Sequence, residues 1–274
     1  MQSLRNLPAD TLASLRFLSR LPVPYSENTP LPDFQKQAHT FPLAGIIIAA
    51  PATILASISI WLGLQPLVVA IIAIATTIII TGALHEDGLA DVADGFWGGH
   101  TIARKLEIMR DSSIGTYGTL ALILCLSLTA ALMAQTLSAM SSTQFAISLI
   151  TSASLSRAAM LWPWVSIDNA RPTSSQNKSQ RKDEAGLSAR FGMPDHGTMR
   201  ATFVISLAPA LLLAATFGIQ TTLIVLIAAS LGTLAMTKLA HHHIGGHTGD
   251  ILGATQQIAH LGFWIALAAT TQAP

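Results

Sequence analysis

An all-α, polytopic membrane bundle of about seven transmembrane helices, led by a short N-terminal interfacial helix, is the fold class this sequence predicts. Composition is the first ground: of 274 residues, 51% are hydrophobic and only 11% charged, where a soluble domain carries about 25% charged residues. Such a chain cannot cover a water-facing surface, so lipid is its main solvent. The second ground is the length of its apolar runs, seven of which approach the roughly 17–25 residues that cross a bilayer as a helix. Runs of that length without alternation are helical, because in lipid only helices or closed barrels satisfy their own backbone groups. The third ground is where the charges sit.

Residues 1–40 form an arm. Within it, residues 10–21 set Leu12, Leu15, Phe17 and Leu18 against Arg16 and Arg20, as a helix lying in the interface does, and Pro22 and Pro24 end it. The spans follow at about 43–62, 67–84, 117–135, 144–163, 201–217, 221–237 and 256–272. The last is the weakest, diluted by His260 and several glutamines. Pro51 and Pro209 fall inside spans and are expected to kink them. No secretory signal is read at the start, since the first long apolar run begins near Leu43.

Counted from a cytoplasmic N-terminus, every Lys and Arg outside the spans falls on the inner side: in the arm and in connections at 85–115, 164–200 and 238–255. The connections near Gly63, Ala139 and Gly218 carry no charge at all. That is the positive-inside pattern. It predicts one integral membrane domain over residues 1–274, with its polar chemistry facing the cytoplasm. The basic stretch 164–200 reads either as a mobile loop carrying inside charge or as a lid over a substrate. The net charge of +1 is itself uninformative, no nucleic-acid partner is expected, and the single cysteine, Cys125, sits in an apolar run as a small core hydrophobe. No internal repeat stands out.

The chemistry concentrates in His85-Glu86-Asp87-Gly88-Leu89-Ala90-Asp91-Val92-Ala93-Asp94-Gly95. Four carboxylates fall within nine residues, and no Lys or Arg occurs between Lys36 and Arg104 to neutralise them locally. On a helix Asp87, Asp91 and Asp94 share a face. Like charges held that close raise one another's pKa unless a cation sits among them, and carboxylate oxygens are what Mg²⁺ takes, with water and phosphate completing its shell. The motif reads as a Mg²⁺ site at a membrane edge; a solvated first helical turn, where acids favour the dipole, is the plainer alternative. Glu86 lies about 100° off the aspartate face and either ligates or shapes the site. His85 either orients a ligand, accepts a proton or is structural.

Three further groups could meet phosphate. Arg104 and Arg110, the latter beside Asp111, have the fork geometry that clamps phosphate oxygens, with anionic lipid as the bland alternative. In 245–254, glycines around Gly246, His247, Thr248 and Asp250 allow backbone N–H groups to converge on an anion, and Asp250 to add a metal or ribose contact; a plain interhelical turn, which would also use glycines, is the alternative. Arg157, the one basic residue within a span, is either functional or snorkels to the cytoplasmic end. The consecutive His241, His242 and His243 point about 100° apart on a helix and do not make a zinc site.

In order along the chain stand Leu18-Ser19-Arg20-Leu21-Pro22-Val23-Pro24, the acidic motif, residues 106–118, Leu155-Ser156-Arg157-Ala158-Ala159-Met160 and the 245–254 loop. Together they resemble the cobalamin synthase family, the adenosylcobinamide-GDP ribazoletransferases, over nearly the whole chain. At Ser113 the sequence departs from the arginine the family often carries, which argues against a second phosphate-binding arginine there. The resemblance implies a Mg²⁺-dependent inner-membrane enzyme that joins adenosylcobinamide-GDP to α-ribazole, or its 5′-phosphate, releasing GMP and giving adenosylcobalamin or its phosphate. It further implies that a metal on Asp87, Asp91 and Asp94 aligns the diphosphate, that an aspartate or His85 takes the hydroxyl proton, and that Arg110 and the 245–254 loop grip phosphate. A homo-oligomer is compatible with all of this.

Two rivals remain. A CDP-alcohol phosphotransferase of lipid synthesis also uses an Asp-Gly acidic motif, but it needs an Ala-Arg pair where this chain has Ala90-Asp91. An ion-coupled transporter would place its acids near the midplane on broken helices, with repeats.

Overall fold

The computed structural model describes residues 6–24, 33–171 and 192–271, and those residues fold entirely around helices. They are α1 (Leu7–Leu18), α2 (Phe34–Gln37), a 3-10 turn (Ala38–Thr40), α3 (Phe41–Trp61), α4 (Pro66–Thr81), α5 (Leu84–Gly98), α6 (Ile102–Ile108), α7 (Thr116–Ser138), α8 (Ser142–Ala159), α9 (Leu161–Ser166), α10 (His196–Phe217), α11 (Ile219–Ile244) and α12 (Gly249–Thr270). Residues 172–191, the centre of the expected 164–200 loop, lie outside the described residues, so the lid reading does too.

Six helices, α3, α7, α8, α10, α11 and α12, are each long and apolar enough to cross a bilayer, and α4 with α5 passes as a pair bent by 89°. The polytopic all-α bundle expected from composition is what forms. Of the bent pair α4 is the apolar member, whereas α5, with four acids in fifteen residues, is too polar to cross lipid itself. Large side chains such as Trp61, Ile79, Leu124 and Leu211 stand exposed on the outer faces, as lipid-facing residues do. Both α3 and α10 continue through Pro51 and Pro209.

The bend is built from the backbone. Gly82 caps α4 with φ of 65°, and Ala83 follows at 60°, so two successive left-handed residues turn the chain before α5 begins. The arm secures the corner: the Arg20 N–H donates to the Ile80 carbonyl at 2.7 Å, one of the carbonyls the helix end leaves free. The arm helix α1 is docked rather than loose. Leu15 and Leu18 pack among Phe34, Phe41, Ile48, Leu161 and Trp164, and the Ser14 and Thr40 hydroxyls share a 2.7 Å hydrogen bond.

The weakest-looking span proves to be the central one. In α12, 72% of the apolar window is buried, against 22% in α10, so α12 meets protein on most sides, packing on α5, α7, α8 and α11. Its Gln256 and Gln257 are buried. A helix surrounded by other helices needs less hydrophobicity than one facing lipid, and its polar side chains find partners across the interface. Dilution of apolar character was therefore a mark of centrality.

Candidate active site

The site assembles where α5 crosses the N-terminal ends of α12 and α7. Close approach of α5 to α12 depends on two glycines. A Cβ on Gly88 would lie 2.8 Å from the Asp250 carbonyl oxygen, and one on Gly253 would lie 3.3 Å from the His85 Cα. With the backbones that near, Asp87 and Asp91 come within electrostatic reach of Asp250. Burial, then Asp250, Asp87 and Asp94 in that order, push the Asp91 carboxyl up to about 7, against a smaller opposing pull from Arg171. Asp250 itself accepts from the Thr248 hydroxyl at 3.1 Å and from Arg171 Nη2 at 3.2 Å.

Asp94 has turned to a different neighbour. Its two carboxylate oxygens accept the backbone N–H groups of Gly115, at 2.7 Å, and Gly118, at 2.9 Å. These are orphan donors of the first turn of α7, which has no side-chain cap of its own. A carboxylate supplied from α5 thus caps α7 and meets the positive end of its dipole. Asp94 pins the two helices together, and Asp87 and Asp91 are the aspartates of the face that remain open.

In the loop 245–254 the first two glycines serve capping and packing. Gly245 is the left-handed C-cap of α11, with φ of 75°, and Thr248 caps α12 by accepting the Ile251 N–H. Gly246 lies flat against residues 168–170, which pair with this turn: the His247 N–H donates to the Asp168 carbonyl at 2.8 Å, and the Ala170 N–H to the His247 carbonyl at 2.9 Å. The buried His247 ring adds a 2.8 Å contact from Nδ1 to the Ile167 carbonyl. This pairing is what delivers Arg171 to Asp250, with Arg110 close enough to interact with Arg171. Arg171 is a site residue that sequence reasoning counted only as inside charge, since no local pattern ties it to a residue 79 positions away.

Gly246→Ala should therefore separate the two segments. A Cβ there would run into the Asp168 carbonyl and lie 2.8 Å from the Ala170 nitrogen, all backbone. Expected are a destabilisation of about 1–3 kcal/mol and loss of the Arg171–Asp250 contact. A thermal midpoint equal to that of the parent chain would contradict this.

Other candidate residues lie apart. Arg104 is exposed on α6 and pairs with Glu107 at 2.8 Å, an exposed pair of little energetic consequence. Asp111, also exposed, accepts the Ser113 N–H at 2.9 Å, which holds its carboxyl below the usual range. His243 stacks on Phe96, ring centroids 4.4 Å apart, and meets Lys105 Nζ at 3.0 Å. His85, Glu86 and Arg157 face the bundle interior on the other side of α5. Arg157 does not snorkel: it is 1% exposed.

Among the described residues, no three His, Cys, Asp or Glu side chains are already gathered to ligate one ion. The donor chemistry nevertheless fits Mg²⁺, which usually takes one or two carboxylates and completes its shell with water and phosphate. Open carboxylates on Asp87 and Asp91, close to each other and to Asp250, are donors of that kind, and a cation between them would relieve their repulsion.

Residues 10–268 match the family model described as CobS, cobalamin-5-phosphate synthase. A protein of Azorhizobium caulinodans named adenosylcobinamide-GDP ribazoletransferase is 42% identical over 259 residues, covering 93% of each chain. One of the same name from Rhizobium meliloti is 39% identical over 276 residues, covering 98% of this chain and 99% of its own. No solved structure matches. A model that spans nearly every described helix, and relatives aligned almost end to end, leave one conclusion: the chain belongs to the CobS family of cobalamin-5-phosphate synthases.

Proposed function

We infer that this chain is an adenosylcobinamide-GDP ribazoletransferase, joining adenosylcobinamide-GDP to α-ribazole or its 5′-phosphate with release of GMP. The observation that carries the reading is the meeting of the α5 aspartates with the Asp250–Arg171 pair at one end of the bundle, in a chain whose relatives bear that name. The reaction is a phosphoryl transfer. A ribose hydroxyl of the ribazole attacks the phosphorus nearer the cobinamide; its O–H bond breaks, a new P–O bond forms, and the bridging P–O bond to GMP breaks.

Asp87 and Asp91, with Asp250 across from them, would hold Mg²⁺, which when bound supplies positive charge to the diphosphate oxygens. Arg171 and Arg110 grip the remaining phosphate oxygens. The hydroxyl proton passes to a carboxylate of this group; His85 is unsuited to the task because it faces away from it. Asp94 keeps α5 seated on α7 while this happens. The Lys and Arg distribution supports an inner-membrane protein with this end of the bundle in the cytoplasm, where nucleotide substrates are found. The acids at one end of the bundle, rather than mid-membrane, weigh against a transporter.

The test is GMP release by the purified chain in lipid vesicles supplied with adenosylcobinamide-GDP, α-ribazole and Mg²⁺. Release that stops on chelation and resumes on Mg²⁺ addition is expected. Solute uptake without GMP release would replace the reading with that of a transporter.

A further inference from the structure

Opposite its open aspartates, α5 turns His85 and Glu86 into the bundle, where they meet Arg157 of α8 and Gln256, Gln257 and His260 of α12 around a cavity of about 50 Å³. The other walls are small or apolar, with Ala52, Ala73 and Met133 among them. His85, Glu86 and Arg157 are 1%, 7% and 1% exposed. Some of their polar atoms are paired within the protein. Gln257 Nε2 donates to Glu86 Oε1 at 2.9 Å, Arg157 Nη1 donates to the Ala153 carbonyl at 3.0 Å, and Gln256 Nε2 donates to the Ser156 hydroxyl at 3.0 Å.

The rest are not. Arg157 Nε and Nη2, Glu86 Oε2, His85 Nε2 and Gln256 Oε1 are all buried without a protein hydrogen-bond partner. Glu86 and Arg157 both line the cavity yet form no direct ion pair. Buried polar groups are seldom left unsatisfied, and these include donors on one side and acceptors on the other. A buried water needs about 10–15 Å³ and two to four polar partners; this cavity offers room for several waters and five such atoms.

We propose that the cavity is a hydrated ion-pair site, in which ordered waters bridge the Arg157 guanidinium to the Glu86 carboxylate, His85 and Gln256, and that this pair positions α5. Glu86 and Asp87 are adjacent on one helix, so anchoring Glu86 to α8 and α12 sets the roll that presents Asp87 and Asp91 to Asp250. Both charged residues are then positioning residues. Glu86 is no metal ligand and Arg157 touches no substrate. The catalytic readout below rests on the proposed transferase activity; the thermal one does not.

The experiment is a double-substitution cycle on the full chain in nanodiscs, with Glu86→Gln, Arg157→Gln and both together. Each single change leaves one buried charge unmatched. It should lower kcat about 10- to 100-fold, shift KM for adenosylcobinamide-GDP by less than about twofold, and lower the thermal midpoint. The double variant should have a kcat at least about threefold above that of the worse single, and a higher thermal midpoint than it. A ligand or substrate contact cannot be restored by a second deletion, so a double variant no better than the worse single overturns the proposal. So does a Glu86→Gln enzyme within about twofold of the parent kcat. Should the singles fail to fold, a folded double variant supports the pairing and an unfolded one overturns it. An experimental map should show water within hydrogen-bonding distance of Arg157 Nη2; a dry cavity overturns the hydrated site. If the parent chain releases no GMP, the activity assignment fails while the thermal cycle still decides the pairing.

Discussion

Asp91→Asn should abolish GMP release while the protein still inserts and folds. The change keeps the shape and removes one negative oxygen from the face where α5 meets Asp250. Losing one preorganised electrostatic contact in phosphoryl or acyl transfer costs about 10²–10³ in rate, or ~3–4 kcal/mol. Asp91 would contribute both to cation binding and to the charge that orients the diphosphate, so a loss of about 10³-fold or more is expected. Full retained turnover would remove the metal-site reading.

The same substitution should make the metal-free protein more stable, and the pH dependence gives the sign. Asp91 has a pKa of 3.8 as an unperturbed side chain and about 7 in the fold. Native structure therefore favours the protonated form. That favourable contribution is complete below about pH 4 and is lost as pH rises through 7, where the ionised carboxylate faces its neighbours. In EDTA at pH 8 the Asn variant should melt above the parent chain, and at pH 4 the two should nearly coincide. Equal melting at both values would mean that Asp91 carries no such repulsion. A site strained for function gains stability when it is relaxed.

Gly88→Ala is the second large effect, and it tests geometry rather than charge. Inside an exposed helix, Gly to Ala gains about 1 kcal/mol. Here the new Cβ would sit 2.8 Å from the Asp250 carbonyl oxygen, 3.2 Å from the Asp250 Cα and 3.3 Å from the Gly253 Cα, all backbone atoms that cannot rotate aside. The helices must separate, at an overpacking cost of about 1–3 kcal/mol, and Asp87 and Asp91 move away from Asp250. A shift of about 1 Å in a catalytic group costs roughly 100-fold in rate, so a loss of that order in kcat is expected beside the lower melting temperature. Gly98→Ala is the control. Its Cβ would meet only the Ile108 side chain, at 3.6 Å, and the same helix should tolerate it at full activity.

Much of this molecule was written locally. Apolar runs of bilayer length specify helices in lipid, and the lopsided charges mark one end of them. The i, i+4, i+7 spacing places Asp87, Asp91 and Asp94 on a face. The glycines of 245–254 read either as an anion nest or as a plain interhelical turn, and Gly245 and Gly246 serve as a helix cap and a close packing contact. Where reading residue by residue went furthest astray was α12, whose glutamines and His260 looked like a poor span and are the lining of an interior.

Tertiary structure supplied the partners. Periodicity says which side chains share a helix face, but the environment of that face depends on which helix packs there. That follows from turns such as Gly82–Ala83 and from surfaces far apart in sequence. So Asp94 was separated from its two neighbours by the bare N-terminus of α7, Glu86 and His85 were turned toward Arg157, and Arg171 was carried to Asp250 by a pairing with His247. Bilayer solvation acts on each segment by itself and can be read from composition; contacts between segments depend on their mutual fit, which no single stretch of the chain encodes.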